Sequence, residues 1–226
     1  MQPEGLNRTA RITGLFYLGN AITSVLGFIV IRPRLFDADD PTATMANLVA
    51  HDSPARWGIA LYLGMVVTQT LAAAWFYRLF RTVDSFAASG IAAFGLVNAV
   101  VGVMSTALLA TAVEVAADPV GDPVATVQVL HLLNENLWGV GALFFGLWLI
   151  PMGWCVLRSG WMPSALGRLL VGGGAGYVLS AFVAYLAPGA QVLAEALTYP
   201  ASVGELWMVG YLLIRGVRRR AAVAQV

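Results

Sequence analysis

The sequence predicts an all-α fold. We expect a polytopic transmembrane bundle of six spans in a single domain, with both termini cytoplasmic and a short surface helix in the first outer loop. Three observations carry this. The 226-residue chain is 59 % hydrophobic and 11 % charged, against roughly 25 % charge in an average soluble domain. Its apolar residues fall in runs of about 20, the helical length that crosses a hydrocarbon core of roughly 30 Å. Its thirteen basic residues, all Arg, sit mostly on alternate loops.

The spans are about 12–31, 57–79, 90–113, 137–157, 166–186 and 200–214. They are rich in Gly and Ala and lack the alternating ten-residue pattern of an outer-membrane barrel. Lipid cannot satisfy free backbone groups, so each must be helical. Ten arginines lie on one side of this scheme: Arg8, Arg11, Arg78, Arg81, Arg158, Arg168, Arg215, Arg218, Arg219 and Arg220. Only Arg32, Arg34 and Arg56 lie on the other. Positive charge near span ends stays in the cytoplasm, so both termini face in. The acids Asp37, Asp39, Asp40, Asp52, Glu114, Asp118, Asp122, Glu135 and Glu195 lean outward, consistent with that orientation. A net charge of +1 gives no reason to expect nucleic acid.

The first span follows Arg8 and Arg11, as a signal peptide would. Its core is too long, however, and Ile31-Arg32-Pro33 is no small-residue cleavage site, so it reads as an uncleaved span. The loop at 32–56 is the longest on the outer side. Asp40-Pro41 starts a helix there, Asp as cap and Pro in the first turn, with Met45, Leu48 and Val49 on one apolar face. Asp52, Ser53 and Pro54 lead into the second span, and Asp122-Pro123 repeats the device before the fourth. From Val124 the pattern runs helically to Leu157, about 50 Å, so its first turns protrude outward or bend. Pro151 is expected to kink that helix, and Pro188 and Pro200 to interrupt the approach to the last span. Trp57-Gly58 to Arg78 and Trp138-Gly139 to Arg158 look alike, but interfacial Trp and cytoplasmic Arg are what topology alone demands.

Small residues recur every four positions: Gly19, Thr23 and Gly27; Ala60, Gly64, Thr68 and Ala72; Asn98, Gly102, Thr106 and Ala110; Gly172, Gly176, Ser180 and Ala184. Such faces let helices approach closely in lipid.

Five polar residues lie at a common depth. Asn20, Gln69, Asn98, Tyr177 and Glu205 each fall about 12–15 Å from the cytoplasmic edge at 1.5 Å per residue. This predicts a central polar site. Asn20, Gln69 and Asn98 read first as interhelical glue, worth about 0.6 kcal/mol each, and Tyr177 as packing beside Gly176. Glu205 is harder to dismiss, because an acid at the bilayer centre costs about 2.5–3.5 kcal/mol on insertion scales and usually faces a cavity or a partner.

A second constellation lies outside. His131 and Glu135 share a helix face, and His51 ends the surface helix. Two His and a carboxylate are a metal-ligand set, but HxxxE arises often by chance and no further spacing supports it, so no metal or other cofactor is expected. Nothing pairs a nucleophile with a base: Ser105, Ser180 and Ser202 have no His nearby in sequence. Gly172-Gly173-Gly174 lies within an apolar span and reads as packing. The lone Cys155 cannot form an internal disulfide. Arg218, Arg219 and Arg220 anchor topology and touch anionic lipid at about 1 kcal/mol per charge.

Several segments together resemble an uncharacterised bacterial integral-membrane family, domain of unknown function 4386. They are Asn7-Arg8-Thr9-Ala10-Arg11-Ile12-Thr13-Gly14-Leu15, Tyr77-Arg78-Leu79-Phe80-Arg81, and Phe145-Gly146-Leu147 through Arg158-Ser159-Gly160-Trp161-Met162-Pro163. Leu166-Gly167, Gly176-Tyr177, Gly204-Glu205-Leu206 and Leu213-Ile214-Arg215-Gly216 complete the likeness. The resemblance covers nearly the whole chain and implies a multi-span protein of the bacterial cytoplasmic membrane. It implies no reaction.

The leading function is therefore binding or transport of a small molecule or lipid through the central site, and whether the protein is an enzyme stays open. One rival is a membrane enzyme acting at the outer face through His131 and Glu135. Another is a non-catalytic accessory subunit, whose partner is a second membrane protein or a further copy of the chain. Membrane lipids are partners in every case.

Overall fold

A computed structural model describes residues 3–37, 39–119 and 121–217, the side chains of Pro3 and Glu4 excepted. The Arg218–Arg220 cluster lies outside the described residues. The described residues are predominantly helical, and no strand occurs among them. Helix α1 (Pro3–Val25) widens into a π-helical stretch (Leu26–Ile31) and continues as α2 (Arg32–Leu35). Then follow α3 (Pro41–Ala50), α4 (Asp52–Phe80), α5 (Ser85–Ala117), α6 (Pro123–Ser159), α7 (Ser164–Leu186), α8 (Gln191–Ala196) and α9 (Tyr199–Ile214). Five helical stretches are long and apolar enough to cross a membrane: Gly5–Leu35, Asp52–Phe80, Ser85–Ala117, Pro123–Ser159 and Ser164–Leu186. Helix α9 has 16 residues, about 24 Å at the helical rise.

The helix starts follow local chemistry. The Asp40 side chain accepts from the N–H groups of Thr42 and Ala43, with Pro41 in the first turn. Asp122 accepts from the Ala125 N–H at 3.0 Å, and Pro123 opens α6. One expectation is corrected. Val49 is exposed while Leu48 is buried, because α3 turns Thr44 and Leu48 inward and leaves Val49 on the outer flank. Helix α6 runs on through Pro151; a missing N–H removes one ladder bond without ending the helix. The approach to the last helix is interrupted as expected: α7 ends at Leu186, Pro188 opens a short 3₁₀ turn, and Pro200 stands in the first turn of α9, where no N–H is needed.

The chain forms two compact units. One comprises Met1–Leu18, Thr70–Val97 and Ala142–Val226. Its core gathers Tyr17, Phe76, Phe80, Trp148, Met152 and Leu170, among others. Glycines set its spacing. A Cβ at Gly146 would lie 2.6 Å from the Gly174 carbonyl oxygen, and one at Gly153 2.6 Å from that of Gly167. The two pairs are seven residues apart on each helix and run in opposite order, so α6 and α7 pack antiparallel, backbone on backbone. On another side of α7, a Cβ at Gly173 would meet the Ala201 backbone at 2.6 Å, and one at Gly176 the Leu197 carbonyl at 2.6 Å.

The other unit comprises Gly19–Gln69 and Asn98–Gly141, around Leu35, Leu48, Tyr62, Leu109 and Val127. Here the four-residue stripes meet as expected. Gly19 lies against Thr68, Gly64 against Thr23 and Gly27 against Tyr62. In α7 the expected stripe holds only in part. Gly176 makes a close approach, whereas Gly172 has nothing within 4 Å of where its Cβ would be and its neighbours Gly173 and Gly174 pack closely instead.

Candidate functional site

Helix α9 buries Ala201, Gly204, Met208 and Leu212. Glu205 sits on the shoulder of that stripe, half-buried. Gly204 fits against Leu170 of α7, which brings the Glu205 backbone close to its neighbours. The Tyr17 hydroxyl of α1 donates a hydrogen bond to the Glu205 carboxylate. Tyr17 is only 3 % exposed. Its ring is held edge-on by Phe76 (centroids 5.2 Å apart, 86° between planes) and lies 6.0 Å from Trp148. Phe76 and Trp148 also meet edge-on at 5.8 Å. This aromatic box fixes the phenol, and the phenol fixes the acid. Tyr177 of α7 packs against Phe145 at 4.8 Å and lies within electrostatic reach of Glu205. Among the described residues no ion pair includes Glu205.

In the other unit the Asn20 amide donates to the Gln69 side-chain oxygen at 3.0 Å, and Gln69 is 6 % exposed. The Asn20 side-chain oxygen and the Asn98 side-chain nitrogen are buried without a partner. Also in this unit, Arg32 pairs with Glu135 at 3.0 Å, and His131 Nε2 lies 3.7 Å from the same carboxylate oxygen. His131 stacks on Phe36 at 4.8 Å. It lies among Leu108, Leu109, Ala112, Leu130 and Asn134, with no space there for a water molecule. It is 8 % exposed, and neither ring nitrogen has a hydrogen-bond partner. His51 caps the end of α3, its Nδ1 3.0 Å from the Asn47 carbonyl. Among the described residues no three His, Cys, Asp or Glu side chains gather in a way that could hold a metal.

A family model described as a domain of unknown function, DUF4386, matches residues 12–216. The chain belongs to this family. No curated protein and no solved structure matches it. The DUF4386 region contains Tyr17 and Glu205, the amide pair, and the His131–Glu135–Arg32 group.

It also contains the turn between α6 and α7. Gly160 there has φ +61°, a left-handed conformation that ends α6 at little cost for glycine alone. Ser159 accepts from the Trp161 N–H at 3.3 Å. Arg158 donates to Asp84 at 2.8 Å, and the Trp154 indole donates to the same oxygen at 3.1 Å. Asp84 caps α5 by accepting from the Ala87 N–H at 3.1 Å. That N–H, with the Trp154 indole and Arg158, holds the Asp84 carboxyl below the usual carboxylate range.

Three residues in these groups escaped the sequence reading. Tyr17 lies three positions before Asn20, on a neighbouring face of α1, and that spacing was its only signal. Arg32 was read as a loop charge, although it directly follows an apolar helix. Asp84 was overlooked because its role depends on Arg158, 74 positions away.

Proposed function

We propose that the protein is a six-span bundle of the bacterial cytoplasmic membrane, with both ends cytoplasmic, that binds or transports a small molecule or lipid at a mid-depth polar site centred on Glu205. The arginine distribution supports the orientation. An even number of crossings is supported by a contact between the first and last described helical regions: the Val217 N–H donates to the Asn7 side chain at 2.9 Å. Five long helices alone would separate them, and α9 is the remaining element able to return the chain.

The observation that carries the function is the Tyr17–Glu205 pair. An acid with no paired cation is costly in hydrocarbon, about 2.5–3.5 kcal/mol on insertion scales, and is retained where it faces a cavity or a partner. A phenol accounts for one of its oxygens, and among the described residues no second side-chain donor is seen on the other.

Water access tests the reading. In a Cys155→Ser background, Glu205→Cys reacts with a membrane-impermeant maleimide, whereas Leu206→Cys, on the exposed apolar flank, stays unlabelled in lipid. An unreactive position 205 in folded protein refutes a water-reachable site there. The outer-face reading keeps one observation in its favour, the buried imidazole of His131, whose ring nitrogens make no hydrogen bond. Loss of an activity in His131→Ala, with Glu205→Gln unaffected, selects it.

A further inference from the structure

We propose that Glu205 is a proton-carrying group, loading and unloading one proton in the working cycle, and that Tyr17 is the positioning residue that keeps its carboxyl partnered in both states. This rests on the central-site reading above.

The argument begins with what the site offers a cation. Metal ions of the hard, oxygen-seeking kind ask for several oxygen ligands at once. Glu205 has one phenol, and that phenol is walled by Phe76 and Trp148 rather than by further oxygens. No cluster of three acidic, imidazole or thiol side chains exists among the described residues to supply them. A proton needs only the carboxylate.

Tyr17 suits both protonation states. A tyrosine hydroxyl is at once donor and acceptor. When Glu205 is ionised, the O–H donates to the carboxylate, as seen here. When Glu205 is protonated, the phenol can still donate to the carbonyl oxygen of the acid, or accept the carboxyl O–H. One hydrogen bond therefore survives in either state, so neither leaves a stranded polar group. A fixed cation would instead hold the acid permanently ionised, and none lies within ion-pair distance among the described residues. The proton balance is simple. The carboxylate takes one proton from water on one side of the membrane and returns it to water on the other, with no other bond made or broken.

Infrared spectroscopy of the purified protein in lipid, with ¹³C-labelled glutamate, reads this directly. The expected result is a protonated Glu carbonyl band that disappears on raising pH within the range where the protein stays folded, and is lost in Glu205→Gln. Tyr17→Phe removes a bond that is stronger to the ionised form, so the band persists to a pH higher by about one unit, tenfold in proton affinity, the difference between a charge-assisted and a neutral hydrogen bond. Should Glu205→Gln fail to fold, Glu205→Asp replaces it and removes the band from the labelled-Glu spectrum. A Glu205 carboxyl that keeps one protonation state across the whole range overturns the proposal, as does a titration unmoved by Tyr17→Phe. Maleimide labelling of position 205 separates the failures: reactive but non-titrating means a site without proton exchange, whereas unreactive removes the site itself.

Discussion

Alanine at Gly153 is the sharpest test of how the α6–α7 pair is held. The new Cβ would lie 2.6 Å from the Gly167 carbonyl oxygen and 2.8 Å from both the Val171 nitrogen and one of its methyls. That is 0.8 Å inside the 3.4 Å at which ordinary contact begins. Two of the three opposing atoms are backbone, so no rotamer change relieves the clash and the helices themselves must part. The Gly146–Gly174 pair sits on the same seam, and separation at one pair loosens the other. Overpacking of this kind costs about 1–3 kcal/mol. Gly→Ala within a helix returns up to about 1 kcal/mol through propensity. The expected net loss is about 1–2 kcal/mol, toward the upper end because the neighbour is rigid. Gly172→Ala is the matched control: nothing lies within 4 Å of its Cβ, so it keeps the propensity gain and is neutral or stabilising. Reversible unfolding in mixed micelles, followed by tryptophan fluorescence, measures both variants. Equal stabilities would refute backbone-on-backbone packing of α6 and α7.

Two further outcomes are expected. A double-mutant cycle of Asn20→Leu and Gln69→Leu gives a coupling of about 0.6 kcal/mol and no more than about 1.7 kcal/mol, the measured range for polar pairs between membrane helices; zero coupling in the unfolding assay removes the amide bond from the fold's energetics. Asp84 gives a pH dependence whose sign follows from its lowered titration. Its contribution to stability is present above the unfolded carboxyl's usual value and is lost as pH falls through the lower folded value, so Asp84→Asn flattens the acid limb of a stability–pH profile. An unchanged acid limb contradicts the role of the Ala87, Trp154 and Arg158 contacts.

What was legible in the sequence was local or periodic. Asp40 and Asp122 announced helix starts because a cap and its recipients lie within three residues. The stripes of α1 and α4 were readable because two straight helices crossing at small residues repeat every four positions, and Gly19, Thr23, Gly64 and Thr68 do so. Helix α7 is legible only in part for a physical reason: it packs closely against two neighbours, so its glycines serve two seams and no single stripe describes them. Gly176 fits the pattern and packs, Gly172 fits it yet touches nothing, and Gly173 and Gly174 pack although they lie off it. Glu205 was found from its cost in lipid, a property of the residue and its depth. Tyr17 was not, since 188 positions separate it from the acid and no short-range pattern encodes such a meeting.

Helix α7 has backbone pressed against α6 through Gly167 and Gly174, and against the α9 region through Gly173 and Gly176. Elsewhere in proteins, flexible side chains act as cushions that soak up small displacements. At these crossings the opposing atoms are carbonyl oxygens and amide nitrogens, with the branched side chains of Ile150, Leu157, Val171 and Val178 beside them, and a close-packed interior transmits strain instead of dissipating it. A substitution that parts α6 from α7, near the end moored by Arg158 to Asp84, is therefore expected to disturb the helix that bears the acid as well.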